Sequence, residues 1–149
     1  MTDRRENILQ QLLAIAQTQA VAVAARNRLN VSDKKRPAIV IYDGEETEAD
    51  PPGQRSHAGD APKLMTMRPV ILIAVGEESA SVGSWLNQIR ASFLAALVSD
   101  ETLKTQCTTN GLARYEGCVT EARDGEQTEM VMQIRLALTY PLKVSDLTD

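Results

Sequence analysis

The stretch QTEMVMQIRLALTY, residues 127–140, decides the fold because its apolar side chains follow a strict period of two. One set of alternate positions is wholly apolar or aromatic: Met130, Met132, Ile134, Leu136, Leu138 and Tyr140. The intervening set is mixed: Val131, Gln133, Arg135, Ala137 and Thr139. Successive side chains of a β-strand point to opposite faces of the sheet. The stretch therefore predicts a strand with one face in a core and the other face half polar.

Two more strands are predicted before it. LARYEGCVTEAR, residues 112–123, leads through the turn dipeptide Asp124-Gly125 into residues 127–140, which predicts an antiparallel hairpin. Further upstream, KLMTMRPVILIAVG, residues 63–76, contains a continuous apolar run that is typical of a strand buried on both faces. Because proline has no backbone donor, Pro69 predicts that this strand starts at a sheet edge or bends there.

Two amphipathic helices are indicated by apolar residues at helical spacing. The first covers residues 3–19, where Asp3 as N-cap and Glu6 three positions later fit a capping box. The second lies within EESASVGSWLNQIRASFLAALVSD, residues 77–100, and places Trp85 and Phe93 in its apolar stripe. We expect this helix to end at about Val98 and to be followed by a short continuation through ETLKTQ.

The remaining elements complete an α+β domain. VAVAARNRL, residues 21–29, fits a helix extension or a short strand, and a strand is favoured. RPAIVIYDG, residues 36–44, predicts a strand that ends at the turn dipeptide Asp43-Gly44. The sequence thus predicts one domain over residues 1–149, a mostly antiparallel sheet of four to five strands with both helices on one face. A tail from about residue 143 to 149 is expected to fray.

A long polar loop is predicted at about residues 43–63, within YDGEETEADPPGQRSHAGDAPKL. Between residues 43 and 60, six acids and one arginine give a local charge of -5, so the rest of the chain carries +1 of the net -4. The stretch has almost no apolar side chain that could offset the entropy of ordering it. We expect it to be flexible in a free subunit and to be ordered only against a neighbour. The side chains of this stretch proposed to face a partner, or the central opening of an assembly, are Glu45, Glu46, Glu48, Asp50 and Arg55.

The sequence contains no recognisable catalytic, cofactor or metal motif. The single histidine, His57, lies among Gly, Pro and Ser, and Cys107 and Cys118 lack the spacing of a metal site. We therefore expect no enzyme activity, no cofactor and no metal, and we expect both thiols to be reduced. No basic run resembles the footprint of a DNA-binding protein. Without a secretory signal or a long apolar segment, the default location is the cytoplasm.

Taken together, the order of these segments resembles the tail terminator proteins of long-tailed bacteriophages and related prophages, the lambda minor tail protein U type. The resemblance spans residues 5–142 and rests on these stretches in order: RENILQQLLAI, RPAIVIYDGEE, MTMRP, LVSDETL, NGLARYEGCVTE and LTYPL. This chain departs from the family pattern at Met67-Arg68 before Pro69 and in its Pro/Gly-rich loop. Both departures concern the loop and its flank.

The resemblance implies a non-enzymatic virion structural protein located in the tail or neck and assembled in the host cytoplasm. Its subunits would form a homohexameric ring that caps the tail tube, stops tube polymerisation and meets head-completion proteins. DNA would pass through the ring without specific binding, and Arg114 and Arg135 would either pair with acids of a neighbouring subunit or remain solvated. Another neck component, a head–tail connector or stopper, is the alternative. A small-molecule binder or enzyme on the same fold is the contrasting class.

Overall fold

The computed structural model describes residues 3–28, 37–49, 62–76, 81–108, 113–123 and 129–147. The elements, in chain order, are α1 (Arg4–Gln17), β1 (Val23–Arg26), β2 (Ala38–Glu48), β3 (Lys63–Val75), α2 (Val82–Ser99), α3 (Glu101–Gln106), β4 (Arg114–Arg123), β5 (Glu129–Leu142) and a 3-10 helix (Val144–Leu147). The strands form one sheet in the order β1-β2-β3-β5-β4. Only the β1–β2 pair is parallel. The predicted α+β class is confirmed.

The main core lies between one face of the sheet and the helices α1 and α2. Buried residues of both helices pack with the sheet side chains that the period of two predicted to be apolar: Met132, Ile134, Leu136, Leu138 and Tyr140. Met67 belongs to the same cluster, with Met65 and Met130 partly buried against it, so the methionines serve the sheet core as expected. Both helices thus cover one face, as the sequence predicts.

The N-terminal helix begins as its capping pattern predicts, with one difference. The Asp3 side chain accepts a hydrogen bond from the Glu6 backbone N at 3.1 Å, which satisfies a free donor of the first turn. The Glu6 carboxylate, however, binds Arg26 and Gln10. Glu6 is thereby used to attach the start of α1 to the neighbouring strand β1.

The prediction of a loop starting at residue 43 is wrong for its first part. Asp43-Gly44 is not a turn, and β2 continues to Glu48 opposite β3, with Glu45 paired to Arg68 and Glu48 to Met65. Gly44 has φ +67, and the register shifts between Tyr42 and Glu45, so the glycine accommodates a β-bulge. β3 then begins at Lys63, and the middle of the expected loop lies outside the described residues.

The bulge at Gly44 lies against the proline of the central strand. A Cβ on Gly44 would lie 2.0 Å from the Arg68 carbonyl oxygen, so only glycine fits between the two backbones. Pro69 is not at an edge, because β3 pairs with both β2 and β5. The strand pairing is instead interrupted around Pro69, and the missing donor falls at the interruption.

The long apolar helix differs from expectation in the position of its tryptophan. Phe93 is fully buried, but Trp85 is 39% exposed and lies beside the buried stripe that Leu86 and Ile89 continue. Because the helix packs on β3 and β5, a side chain one position away from that stripe remains at the surface. The core therefore relies on Phe93 and Tyr140 as its fully buried rings.

Candidate functional site

The face of the sheet opposite α1 and α2, the open face, carries the candidate site. A small second cluster of buried side chains covers part of it: Val40, Leu72, Ala74 and Val131, with Tyr42 against them. Next to this cluster is a concavity of about 590 Å³ lined by Gly44, Glu45, Arg68, Pro69, Val70, Glu116 and Arg135. Within the described ranges, the buried residues of all helices belong to the opposite face.

Backbone irregularities in three strands shape this concavity. β2 bulges at Gly44, β3 loses its pairing at Pro69, and β4 shifts register between Tyr115 and Gly117. Gly117 has φ +122, a conformation that L side chains rarely adopt. The register shift on β4 accompanies the position of Glu116 at the edge of the concavity. The same feature makes β4 a bent edge strand.

The charges of the concavity are partly paired. Glu116 accepts from Arg68 and from Arg114, each at 3.3 Å. Neither Glu45 nor Arg135 has an ion-pair partner among the residues that the structure describes. Exposed pairs of this kind contribute about 0.2–1 kcal/mol, so their arginines can exchange one carboxylate for another at little cost. The arrangement suits contact with a charged partner surface.

Of the side chains predicted to face a partner, the structure gathers some and not others. Glu45, Glu46 and Glu48 lie on the outer half of β2, which is ordered strand and not loop. Glu45 and Arg135 line the same concavity, and Arg114 reaches it through Glu116. Asp50 and Arg55 fall outside the described residues.

The outer half of β2 is held by an arginine that bridges two carboxylates. Arg26 donates to Asp43 at 2.7 and 2.9 Å and to Glu6 at 2.8 and 2.9 Å. The bonds from Arg26 hold the pKa of both carboxyls below their ordinary values and raise the pKa of the guanidinium. Arg5 adds a bond to the Gly44 carbonyl oxygen at 2.9 Å. The network fixes where β2 leaves β1.

Glu46 differs from Glu45 and Glu48 because its side chain is half-buried at the helix-covered face of the sheet. Its carboxylate accepts a hydrogen bond from the Tyr140 hydroxyl at the end of the core. Burial, and then the bond to Glu46, raises the pKa of Tyr140. Glu46 therefore helps to hold β2 to the end of the core, whereas Glu45 and Glu48 are exposed and make no side-chain bond to the other described residues.

Both ends of the sheet present strand edges. β1 pairs with β2 only along residues 38–41, and beyond Asn27 no described strand lies beside residues 45–48. Asn27 has φ +53 and its side chain accepts from the Asp43 backbone N at 3.1 Å, which ends the parallel pairing. At the other end β4 pairs with β5 alone. Unpaired edges are places where another chain can add a strand.

The two cysteines lie in different surroundings on the helix-covered side of the sheet. Arg90 donates to the Tyr115 hydroxyl at 3.2 Å and to the Cys118 sulfur at 3.5 Å. Burial raises the pKa of the Cys107 thiol to about 11, which keeps it in the unreactive thiol form. Both cysteines are free, and no group of three metal-ligating side chains occurs in the described part of the chain. His57 lies outside it.

Several residues of the site are not apparent from the sequence. Arg68 and Glu116 meet across two strands that are not neighbours, since β5 lies between β3 and β4. Arg26 reaches Glu6 and Asp43 from an element that the sequence defines poorly. The only local signal was Gly44 beside an acidic run, which also fits a turn.

Comparison of the chain with protein-family models gave no match, and comparison with curated proteins gave none either. Among the described helices, none is both long and apolar enough to cross a membrane. The structure therefore defines the fold class, and neither of these two comparisons bears on the function.

Proposed function

We propose that this chain is a non-enzymatic virion structural protein of the tail terminator type. Its subunits form a homohexameric ring on the end of a tail tube, stop tube polymerisation and offer a surface to head-completion proteins. The observation that carries the proposal is that the sheet has a different strand edge at each end, with no described strand paired beyond residues 45–48 of β2 or beyond β4. A subunit whose two different edges bind each other assembles head to tail. Such contacts produce a closed ring when the rotation from each subunit to the next adds up to a full turn.

The resemblance of residues 5–142 to tail terminators supports the same function. The α+β architecture, with two helices on one sheet face, agrees with the fold that the resemblance implies. The other sheet face and the acidic outer half of β2 remain available for contacts with a tube or with neighbouring subunits.

The charge of the chain suits a ring through which DNA passes. The net charge is -4, and residues 43–60 carry a local charge of -5. Carboxylates do not bind phosphates, whereas each arginine or lysine that neutralises a phosphate adds affinity and would slow transit. DNA is therefore proposed to pass without specific binding, and the ring to reside in the tail or neck of the virion.

The test is to add purified protein to growing tail tubes and to measure tube length and end occupancy by electron microscopy. A particle of about six subunits on one tube end, together with arrested growth, is the expected result. Density on the portal side of the neck, with tubes unaffected, would favour a connector or stopper protein instead. Tubes that keep growing, with no bound particle at either place, would contradict the proposal.

The variant Glu45→Gln, Glu48→Gln tests the role of the acidic strand. It leaves Glu46 and its bond to Tyr140 intact, so the contact between β2 and the end of the core is preserved. We expect altered assembly or slower DNA passage, measured as infectivity of reconstituted particles. Normal tails with unchanged infectivity would show that Glu45 and Glu48 have no role in assembly or in DNA passage.

A further inference from the structure

We infer that a second copy of this chain docks its β4 edge against residues 45–48 of β2, so that the sheet continues from subunit to subunit. This inference rests on the proposed function for its ring geometry. It goes further by naming the two edges that join and the charges that decide which edges can meet.

Each of the two edges has a side on which no described strand provides hydrogen-bond partners for its backbone. Residues 45–48 pair with β3 on one side, and on the other side the described chain has no strand after β1 ends at Arg26. β4 is ten residues long, and β5 is the one described strand that pairs with it. Strand addition would satisfy the free N–H and C=O groups of both edges at once.

The acidic residues of segment 45–48 have no basic residue among them, whereas the β4 end presents arginines on both faces of the sheet. β4 also carries Glu116 and Glu121, and both already have partners within the subunit. At the β2 end, Glu45 is on the open face, and Glu48, two residues after the core-facing Glu46, is on the helix-covered face. At the β4 end, Arg114 is on the open face with 68% of its side chain exposed. Arg90 reaches over the helix side of β4, where it donates to Tyr115 and Cys118.

A continued sheet keeps each face continuous across the junction. Glu45 of one copy would then approach Arg114 of the next on the open face. On the other face Glu48 would approach Arg90. Glu116 does not oppose this, since its carboxylate already accepts from Arg68 at 3.3 Å.

The geometry also explains why the joint is heterologous. Residues 45–48 cannot pair with the same residues of another copy without bringing the carboxylates of Glu45 and Glu48 close to those of that copy. Like charges brought together at an interface disfavour that arrangement. Charge thus disfavours a two-fold contact through the β2 edge, and a contact between β2 of one copy and β4 of the next is head to tail, which forms rings or filaments.

The test uses two variants that reverse the charge at one edge each. The first is Glu45→Lys, Glu48→Lys, and the second is Arg90→Glu, Arg114→Glu. Each should lose the assembled mass in native mass spectrometry at a concentration where the unsubstituted protein is assembled. An equimolar mixture should regain that mass, because the lysine edge of one variant then meets the glutamate edge of the other. The restored particle should hold both chains in equal number.

Two controls keep the result interpretable. Lys104→Glu on α3 reverses a charge away from both edges and should assemble like the unsubstituted protein. Circular dichroism and thermal melting should show each charge variant folded on its own. A variant that does not fold is replaced by the single substitution Glu45→Lys or Arg114→Glu, with the same mixing experiment.

Three results would overturn the inference: both variants keep the assembled mass, the mixture stays dissociated, or the unsubstituted protein is monomeric up to its solubility limit. Tube capping is measured in parallel to separate this inference from the proposed function. Rescue by mixing without tube capping would leave the interface standing and remove the terminator role. Tube capping by both charge-reversal variants would remove the proposed interface and leave the terminator role standing.

Discussion

Arg26 on β1 binds both carboxylate oxygens of Asp43 on β2, with Nε 2.7 Å from Oδ1 and Nη2 2.9 Å from Oδ2. Asp43 immediately precedes the bulge glycine, so this pair lies where the parallel strands separate. The same guanidinium holds Glu6 at the start of α1. One side chain of the short edge strand β1 therefore connects helix α1 to β2 at the residue before its bulge.

Replacing Arg26 with methionine should lower the free energy of unfolding by about 1–3 kcal/mol, because hydrogen bonds to charged groups are lost and two carboxylates are left together. Side-chain exposure is 23% for Arg26 and 27% for Asp43, so water compensates only in part. Urea denaturation followed by circular dichroism measures the change. The control Lys104→Met, at a side chain 42% exposed and away from both strand edges, should stay within about 0.5 kcal/mol. Equal losses in both variants would contradict the role given to Arg26.

The acid dependence of stability should reflect the same network. The bonds from Arg26 hold the pKa of Asp43 below 3.8 and that of Glu6 below 4.5. Depressed folded-state pKa values contribute stability that is present above the unfolded values and is lost as the pH falls through the folded ones. The protein should therefore lose stability between about pH 5 and pH 2, and Arg26→Met should lose less over that interval. If the free energy of unfolding fell by the same amount in both proteins over this pH interval, the bonds from Arg26 would not be the cause of the acid dependence.

Gly44→Ala should be strongly destabilising, and Gly83→Ala should not. At Gly44 the new Cβ would meet the Arg68 carbonyl oxygen at 2.0 Å, and φ is +67. We expect a cost of at least about 2 kcal/mol, since backbone strain alone costs about 1–3. At Gly83, in α2, nothing lies within 4 Å, and alanine should add up to about 1 kcal/mol. Thermal melting of both variants checks the contrast.

Gly117→Ala separates strain from crowding in that experiment. Gly117 has φ +122 but no atom within 4 Å of an added Cβ. Its loss should therefore be smaller than the loss at Gly44, because only the backbone conformation is unfavourable. A loss at Gly117 equal to that at Gly44 would show that the contact with Arg68 is not what requires glycine.

The sequence predicted the elements well where periodicity was strong. Residues 127–140 alternate over a long run, and β5 with its core-facing set follows from that alternation. α1 and α2 follow from apolar spacing, and β1 was correctly favoured as a strand. Such patterns are local, so one chain is enough to read them.

The site was much less predictable because its contacts are between distant strands. Asp43-Gly44 has the composition of a turn, yet backbone approach from Arg68 makes it a bulge. Trp85 has the right spacing for the core, but the angle at which α2 packs leaves it 39% exposed. Glu116 reaches Arg68 only because β5 places β3 and β4 two positions apart. Each of these depends on tertiary packing, which propensity does not encode.

Cys107 should react slowly with iodoacetamide in the folded protein. Burial raises its pKa from 9.0 to about 11, which reduces the thiolate fraction at neutral pH about 100-fold. The thiolate is the reacting species, so alkylation should be slower by at least a similar factor than in urea. Mass spectrometry of peptides from timed samples measures both cysteines separately. Cys118, partly buried beside Arg90, provides the internal comparison and should react before Cys107 in the folded state. Equal rates for Cys107 in folded and urea-treated protein would show that the helix α3 end does not shield it.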